Sequence, residues 1–220
     1  LHKALAKSLN TVAVSLGEDI GRDSVIATAE QLGLLDLKPY RSLALGAQGQ
    51  TPLRIAESYL PFANWGTRRE AYGILSISTA DGTPLYDRTA SNGAVVLTAS
   101  ELADMNYMLT EAVERGTGRN ARVEGHMIAG KTGTTNDFRD AWFVGYAPDH
   151  VTAVWVGDDD NAPMANVTGG TIPAKIFKDT MQAQLSSAPA ARLPVSSEPD
   201  WARKNTQLQN LLDQLEGRLP

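Results

Sequence analysis

Apolar residues return at helical spacing in five stretches before residue 186, and most of these stretches carry their own start or stop signal. Leu5, Val12 and Leu16 share a face with Ala13 beside them, so residues 3–16 predict a helix, or a loop running into one, that Gly17 stops. Val25, Ile26, Ala29 and Leu32 form the inward stripe of a second helix over 23–32, ended by Gly33. A third starts at Thr51-Pro52, where threonine caps free N–H groups and proline fits the first helical position. Its stripe is Leu53, Ala56, Leu60 and Ala63. Thr98 and Glu101 have the spacing of a capping box, and Leu102, Met105, Leu109 and Val113 carry that helix to Glu114 or Arg115. The fifth spans 173–185, with Ile176, Phe177, Thr180 and Met181 facing a sheet.

Between the third and fourth helices the period shortens. Residues 73–77 and 84–86 read as two short strands joined through Asp81-Gly82, a strong hairpin turn. A second β region follows the fourth helix: a strand through Gly130-Lys131-Thr132-Gly133-Thr134-Thr135, then the β-rich runs 141–147 and 151–157, separated by Pro148-Asp149-His150. Tight connections between successive strands make an antiparallel meander. The expected fold class is therefore α/β of the α+β type, an antiparallel sheet packed with helices. From 186 to 199 the composition shifts to Ser, Pro and Ala, a linker, and Leu208, Leu211, Leu212 and Leu215 mark a short amphipathic helix over 207–216. The chain is thus expected to divide into residues 1–185 and a tail, 186–220. Because it opens on a helix with no leader, it is also expected to begin in mid-fold, as a fragment.

Composition narrows the partners. At 220 residues, with 42% hydrophobic and 20% charged side chains, the chain is ordinary globular protein of one or two domains. A formal net charge of −5 speaks against nucleic acid as a partner, since binding a polyanion needs a basic face. There is no cysteine, which removes disulfides and zinc-thiolate sites. No run approaches the roughly 18 apolar residues of a membrane span.

The chemistry concentrates in 130–135. Lys131 and Thr132 side by side make a pocket for an anion, and Gly133 lets a substrate backbone approach. Gly125 to Thr132 also fits the G-x-x-x-x-G-K-[ST] phosphate loop, with Asp158 available to imitate its metal-binding aspartate. That loop must feed a helix N-terminus, whereas β-branched Thr134 and Thr135 and a strand follow here, so the phosphate-loop alternative is disfavoured. Asp158-Asp159-Asp160 reads as a solvated turn. Ser8 and Asn10, one residue apart in an apolar setting, taken alone read as a helix cap.

Ser8-x-Asn10, the 51–64 segment, Gly116-Thr117-Gly118, the run from Ala129 to Asp137, Asp140 to Tyr146 and Gly169 to Ala174 occur in one order. In that order the chain resembles the C-terminal part of the transpeptidase domain of class A penicillin-binding proteins, over roughly residues 4–182. The resemblance implies a partial penicillin-binding transpeptidase fold, similar to the serine β-lactamases. It implies a D,D-transpeptidase that cross-links peptidoglycan stem peptides ending in D-Ala-D-Ala and is acylated by β-lactams, at the periplasmic or extracytoplasmic face of the cell membrane, without cofactor or metal. Ser8, Asn10 and Lys131 would be catalytic. Thr132, Gly133 and Thr134 would bind substrate, the Thr134 N–H being one of two oxyanion donors. The family's third motif, a serine with lysine three residues on, is absent, because no serine here has lysine at that distance. The nucleophile would lie in the N-terminal half of the domain, beside an upstream glycosyltransferase domain. A non-catalytic scaffold module and a β-lactamase are the alternatives.

Overall fold

The computed structural model describes residues 1–89 and 93–195. In chain order the elements are α1 (His2–Ala6), α2 (Asn10–Ile20), α3 (Arg22–Gln31), α4 (Pro52–Ala63), β1 (Thr67–Arg68), β2 (Ser76–Ser78), β3 (Pro84–Asp87), β4 (Ala94–Val95), α5 (Ala99–Glu114), β5 (Ala129–Thr134), β6 (Asp140–Ala147), β7 (His150–Gly157) and α6 (Ile172–Leu185). The expected class holds. The last three strands form an antiparallel sheet in the order β5-β6-β7, with Ala129 opposite Tyr146 and Trp142 opposite Trp155.

Alternation along β6 divides the core between the two faces of this sheet. On one face Tyr146 and Ala129 pack with Phe62 and Ala63 of α4 and with Leu102 and Leu109 of α5. On the other, Phe143 and Ala147 meet Ala174, Phe177, Met181 and Leu185 of α6, and the Phe143 and Phe177 rings lie 4.7 Å apart. The α5 helix starts as its capping box requires, with both the Thr98 and the Glu101 bonds made. Thr51 caps α4, accepting from Arg54 N–H, and Pro52 occupies the first turn. The Asp81-Gly82 turn joins β2 to β3 in an exposed hairpin, and β1 pairs with β4, a contact the sequence pattern does not announce.

Three expectations need correction. The first helix is two: the chain breaks at residues 7–9, and α2 runs through Gly17 to Ile20, because Gly17 is buried where a Cβ would press on Ala44. Leu53 of α4 is exposed, and burial falls on Ala63 as expected but otherwise on Ser58, Pro61 and Phe62, in the turns that reach the sheet. Ile176 and Thr180 of α6 also face outward, since the helix crosses the sheet on the stripe through small Ala174. Beyond α6 the chain of linker-like composition turns back. Leu193 is buried against Tyr146's face, and Asn106 Nδ2 donates to Pro194 O at 3.0 Å. The helix expected over 207–216 lies outside the described residues.

Candidate active site

The break between α1 and α2 makes the first half of the site. Ser8 N–H donates to Leu5 O at 3.0 Å and Leu9 N–H to Ala4 O at 2.9 Å, the paired bonds of a helix stop that normally carries glycine. Here the residue in the left-handed position is Ser8, at φ 53°. A Cβ in that region costs roughly 1 kcal/mol. The turn aims the serine hydroxyl at β5, where Lys131 Nζ donates to Ser8 Oγ at 2.8 Å. Neither Ser8 nor Asn10 caps α2: Leu9 holds the cap position and no side chain satisfies the end. Asn10 is exposed and makes no side-chain hydrogen bond among the described residues.

The second half is β5, which has β6 on one side and no strand on the other among the described residues. Thr135 N–H donates to Asp140 O, so residues 131, 133 and 135 direct their backbone groups at β6. By the alternation of an antiparallel ladder, Thr132 and Thr134 direct theirs to the free edge. Lys131 Nζ reaches round to that edge, donating to Thr132 O at 2.9 Å and lying 3.5 Å from Thr132 Oγ1. Burial of the ammonium lowers the Lys131 pKa from 10.5 to about 8. The site therefore holds a cation at neutral pH that gives up its proton readily.

The two threonine hydroxyls are held from behind. Thr134 Oγ1 accepts from Gly169 N–H at 3.1 Å, and Thr132 Oγ1 lies 2.6 Å from Thr117 Oγ1. Asn120 Nδ2 donates to Gly170 O at 2.6 Å, fixing the same loop. Gly169 is there because of close approach: a Cβ would overlap Trp142 O and Gly133 O. Gly133 leaves room in turn on the Trp142 side, where a Cβ would come to 3.2 Å from Trp142 Cβ.

The structure thus brings together Ser8, Lys131, Thr132, Gly133 and Thr134, with Asn10 nearby in sequence but not bonded to them. Thr117, Asn120 and Gly169 complete the arrangement. The Gly116-Thr117-Gly118 and Gly169-Gly170 pairs flag such close backbone contacts in the sequence without saying what they touch. The phosphate-loop alternative fails on geometry, since Lys131 and Thr132 lie inside a strand that runs through a single turn at Asn136–Phe138 into β6.

The site thus sets an ammonium bonded to a serine hydroxyl beside a strand edge that carries two threonines and pairs with no strand among the described residues. The family model for the penicillin-binding protein transpeptidase domain matches residues 1–182, and the chain belongs to that family. Penicillin-binding protein 1A of Aquifex aeolicus (strain VF5) is 40% identical over 183 residues, covering 83% of this chain and 25% of that protein. Penicillin-binding protein 1B of Vibrio cholerae is 36% identical over 190 residues, covering 84% and 24%. Among solved structures, PonA1 of Mycobacterium tuberculosis in complex with penicillin V superposes with a TM-score of 0.81 at 26% identity, covering 88% of this chain and 58% of that one. The chain therefore spans about a quarter of the length of these curated relatives.

Proposed function

We propose that this chain is the part of a serine D,D-transpeptidase that supplies the proton relay and the carboxylate-binding strand for cross-linking peptidoglycan stem peptides. The observation that carries the proposal is the 2.8 Å bond from Lys131 Nζ to Ser8 Oγ, which joins two motifs 123 residues apart at a free strand edge. The nucleophile comes from a Ser-x-x-Lys motif outside this chain, in the N-terminal half of the domain. Its hydroxyl attacks the carbonyl between the two terminal D-alanines. As the C–N bond breaks, the serine's proton leaves with D-alanine, and an amine of a neighbouring stem then attacks the ester and loses a proton in turn.

Ser8 relays these protons between the nucleophile's lysine, Lys131 and the leaving or attacking nitrogen. Asn10 orients the nucleophile's lysine and the substrate amide, and approaches them only when the rest of the domain is in place. Lys131 draws the substrate carboxylate to the edge, where the Thr132 and Thr134 hydroxyls donate to it. The Thr134 N–H, directed to the same edge, is one of the two oxyanion donors, a contact worth on the order of 3 kcal/mol in acyl transfer. A stem peptide, or a β-lactam in its place, lies along β5 as an added strand. On this reading the site works at the extracytoplasmic face of the bacterial cell membrane, anchored outside this chain and partnered by an upstream glycosyltransferase domain.

Intact-mass measurement after incubation with benzylpenicillin tests it. The full-length protein gains one covalent adduct, and Ser8→Ala and Lys131→Ala variants gain it far more slowly. A folded full-length protein that takes up no adduct refutes the transpeptidase reading and leaves a non-catalytic scaffold.

A further inference from the structure

Gly116-Thr117-Gly118 has no part in the reaction outlined above, yet it touches every segment of the site. Thr117 N–H donates to Ala6 O at 3.1 Å, two residues before Ser8. Gly116 lies so near Ala6 O and Ala112 O that a Cβ would overlap both. Thr117 O abuts Gly170, in the loop that holds Thr134, and Thr117 Oγ1 lies 2.6 Å from Thr132 Oγ1. One short loop thereby sets the Ser8 turn, β5 and the 169–170 loop against one another.

The hydroxyl pair also decides where a proton points. A threonine hydroxyl has one proton and accepts through its lone pairs. Thr134 Oγ1 accepts from a backbone N–H, which leaves its own proton free. Thr132 Oγ1 has Lys131 Nζ on one side, which only donates, and Thr117 Oγ1 on the other, which can do either. If Thr132 donates to Thr117, its proton is lost to an anion at the edge. If Thr117 donates, the Thr132 proton is available. Among the described residues Thr117 Oγ1 has no other hydrogen-bond partner, so its proton is free for this bond.

Resting on the transpeptidase reading, we propose that Thr117 is a positioning residue whose hydroxyl donates to Thr132 Oγ1 and turns the Thr132 proton toward the carboxylate of the bound stem peptide or β-lactam. It acts through Thr132 and touches no substrate. The consequence is a preference confined to ligands that carry the anion.

The test compares acylation rate constants in the full-length protein for benzylpenicillin and for its methyl ester, which lacks the anion. Thr117→Val lowers the rate with the acid roughly five- to tenfold, the range of one hydrogen bond, and leaves the slow reaction of the ester unchanged. Thr117→Ser, which restores the hydroxyl, returns the acid to within about twofold of the wild type. An unchanged rate with the acid, or equal losses with acid and ester, overturns the inference, the second pointing to loop packing alone. A wild-type protein that is folded but not acylated overturns the transpeptidase reading instead. Thermal melting checks each variant, and Thr117→Ala carries the same comparison should the valine variant not fold.

Discussion

Replacing Lys131 with methionine removes the partly buried ammonium of the site, and its effect on stability should depend on pH in a defined window. Burial takes the Lys131 pKa from 10.5 to about 8. Below pH 8 the lysine is protonated in the folded and the unfolded chain alike, and the full cost of burying the charge is present. Between 8 and 10.5 the folded state has released the proton that the unfolded state still holds, so rising pH favours folding. Above 10.5 both are neutral. At about 1.4 kcal/mol per pH unit the interval amounts to about 3 kcal/mol, trimmed to about 2–3 because water reaches part of the side chain. The wild type should therefore gain about 2–3 kcal/mol on Lys131→Met between pH 7.5 and 10.5. Urea unfolding of the transpeptidase unit at a series of pH values, followed for both proteins, measures the gap. Other alkaline groups cancel in the difference, including Tyr59, whose pKa burial pushes up to about 12. Parallel stability curves across this window would refute the account of Lys131 as a desolvated cation.

Two further perturbations test the supports of the site. Ser8→Ala and Ser8→Gly both delete the hydroxyl, but only glycine relieves the left-handed turn at φ 53°. The glycine variant should melt higher than the alanine variant by an equivalent of about 1 kcal/mol while both are acylated far more slowly, and equal melting would show that the turn stores no strain. Tyr146→Phe removes the 2.6 Å bond from Tyr146 Oη to buried Asn106 Oδ1. Leaving that oxygen unpaired should cost about 1–3 kcal/mol in thermal melting, and a change within a few tenths would mean that water replaces the phenol.

The sheet order, the α5 capping box and the β2–β3 turn were legible in the sequence because each rests on local chemistry: alternation, a Thr/Glu pair three residues apart, and Asp81-Gly82. Lys131 and Thr132 were legible locally as an anion pocket, but their link to Ser8 was legible only as motifs in a family's order, since nothing local says that residues 8 and 131 meet. What stayed hidden depends on tertiary crossing points. Gly17 reads as a helix stop until Ala44 is seen beside it. Leu53 and Ile176 sit on plausible stripes of helices whose contact lies one residue round. Leu193 belongs to a Ser/Pro/Ala stretch whose composition says linker, and only the surface it meets buries it.

The site's geometry depends on register, and register is held by the core. Within β5, Lys131 and Gly133 face one side, the Thr132 and Thr134 hydroxyls face the other, and the backbone groups of Thr132 and Thr134 lie between them at the free edge. A ligand lying along that edge meets all three kinds of group at once. A slip of one residue against β6 would exchange the faces and turn the wrong backbone groups outward. Two aromatics on opposite faces of β6 oppose such a slip: Tyr146, paired with Ala129 and bonded to Asn106, and Phe143, paired with Thr132 and packed on Phe177. Shifting β6 by one residue would drive the phenol into α6 and the phenyl ring toward a buried amide. The packing that stabilises the sheet therefore also places the ammonium, the hydroxyls and the N–H of Thr134 on their respective sides of one edge.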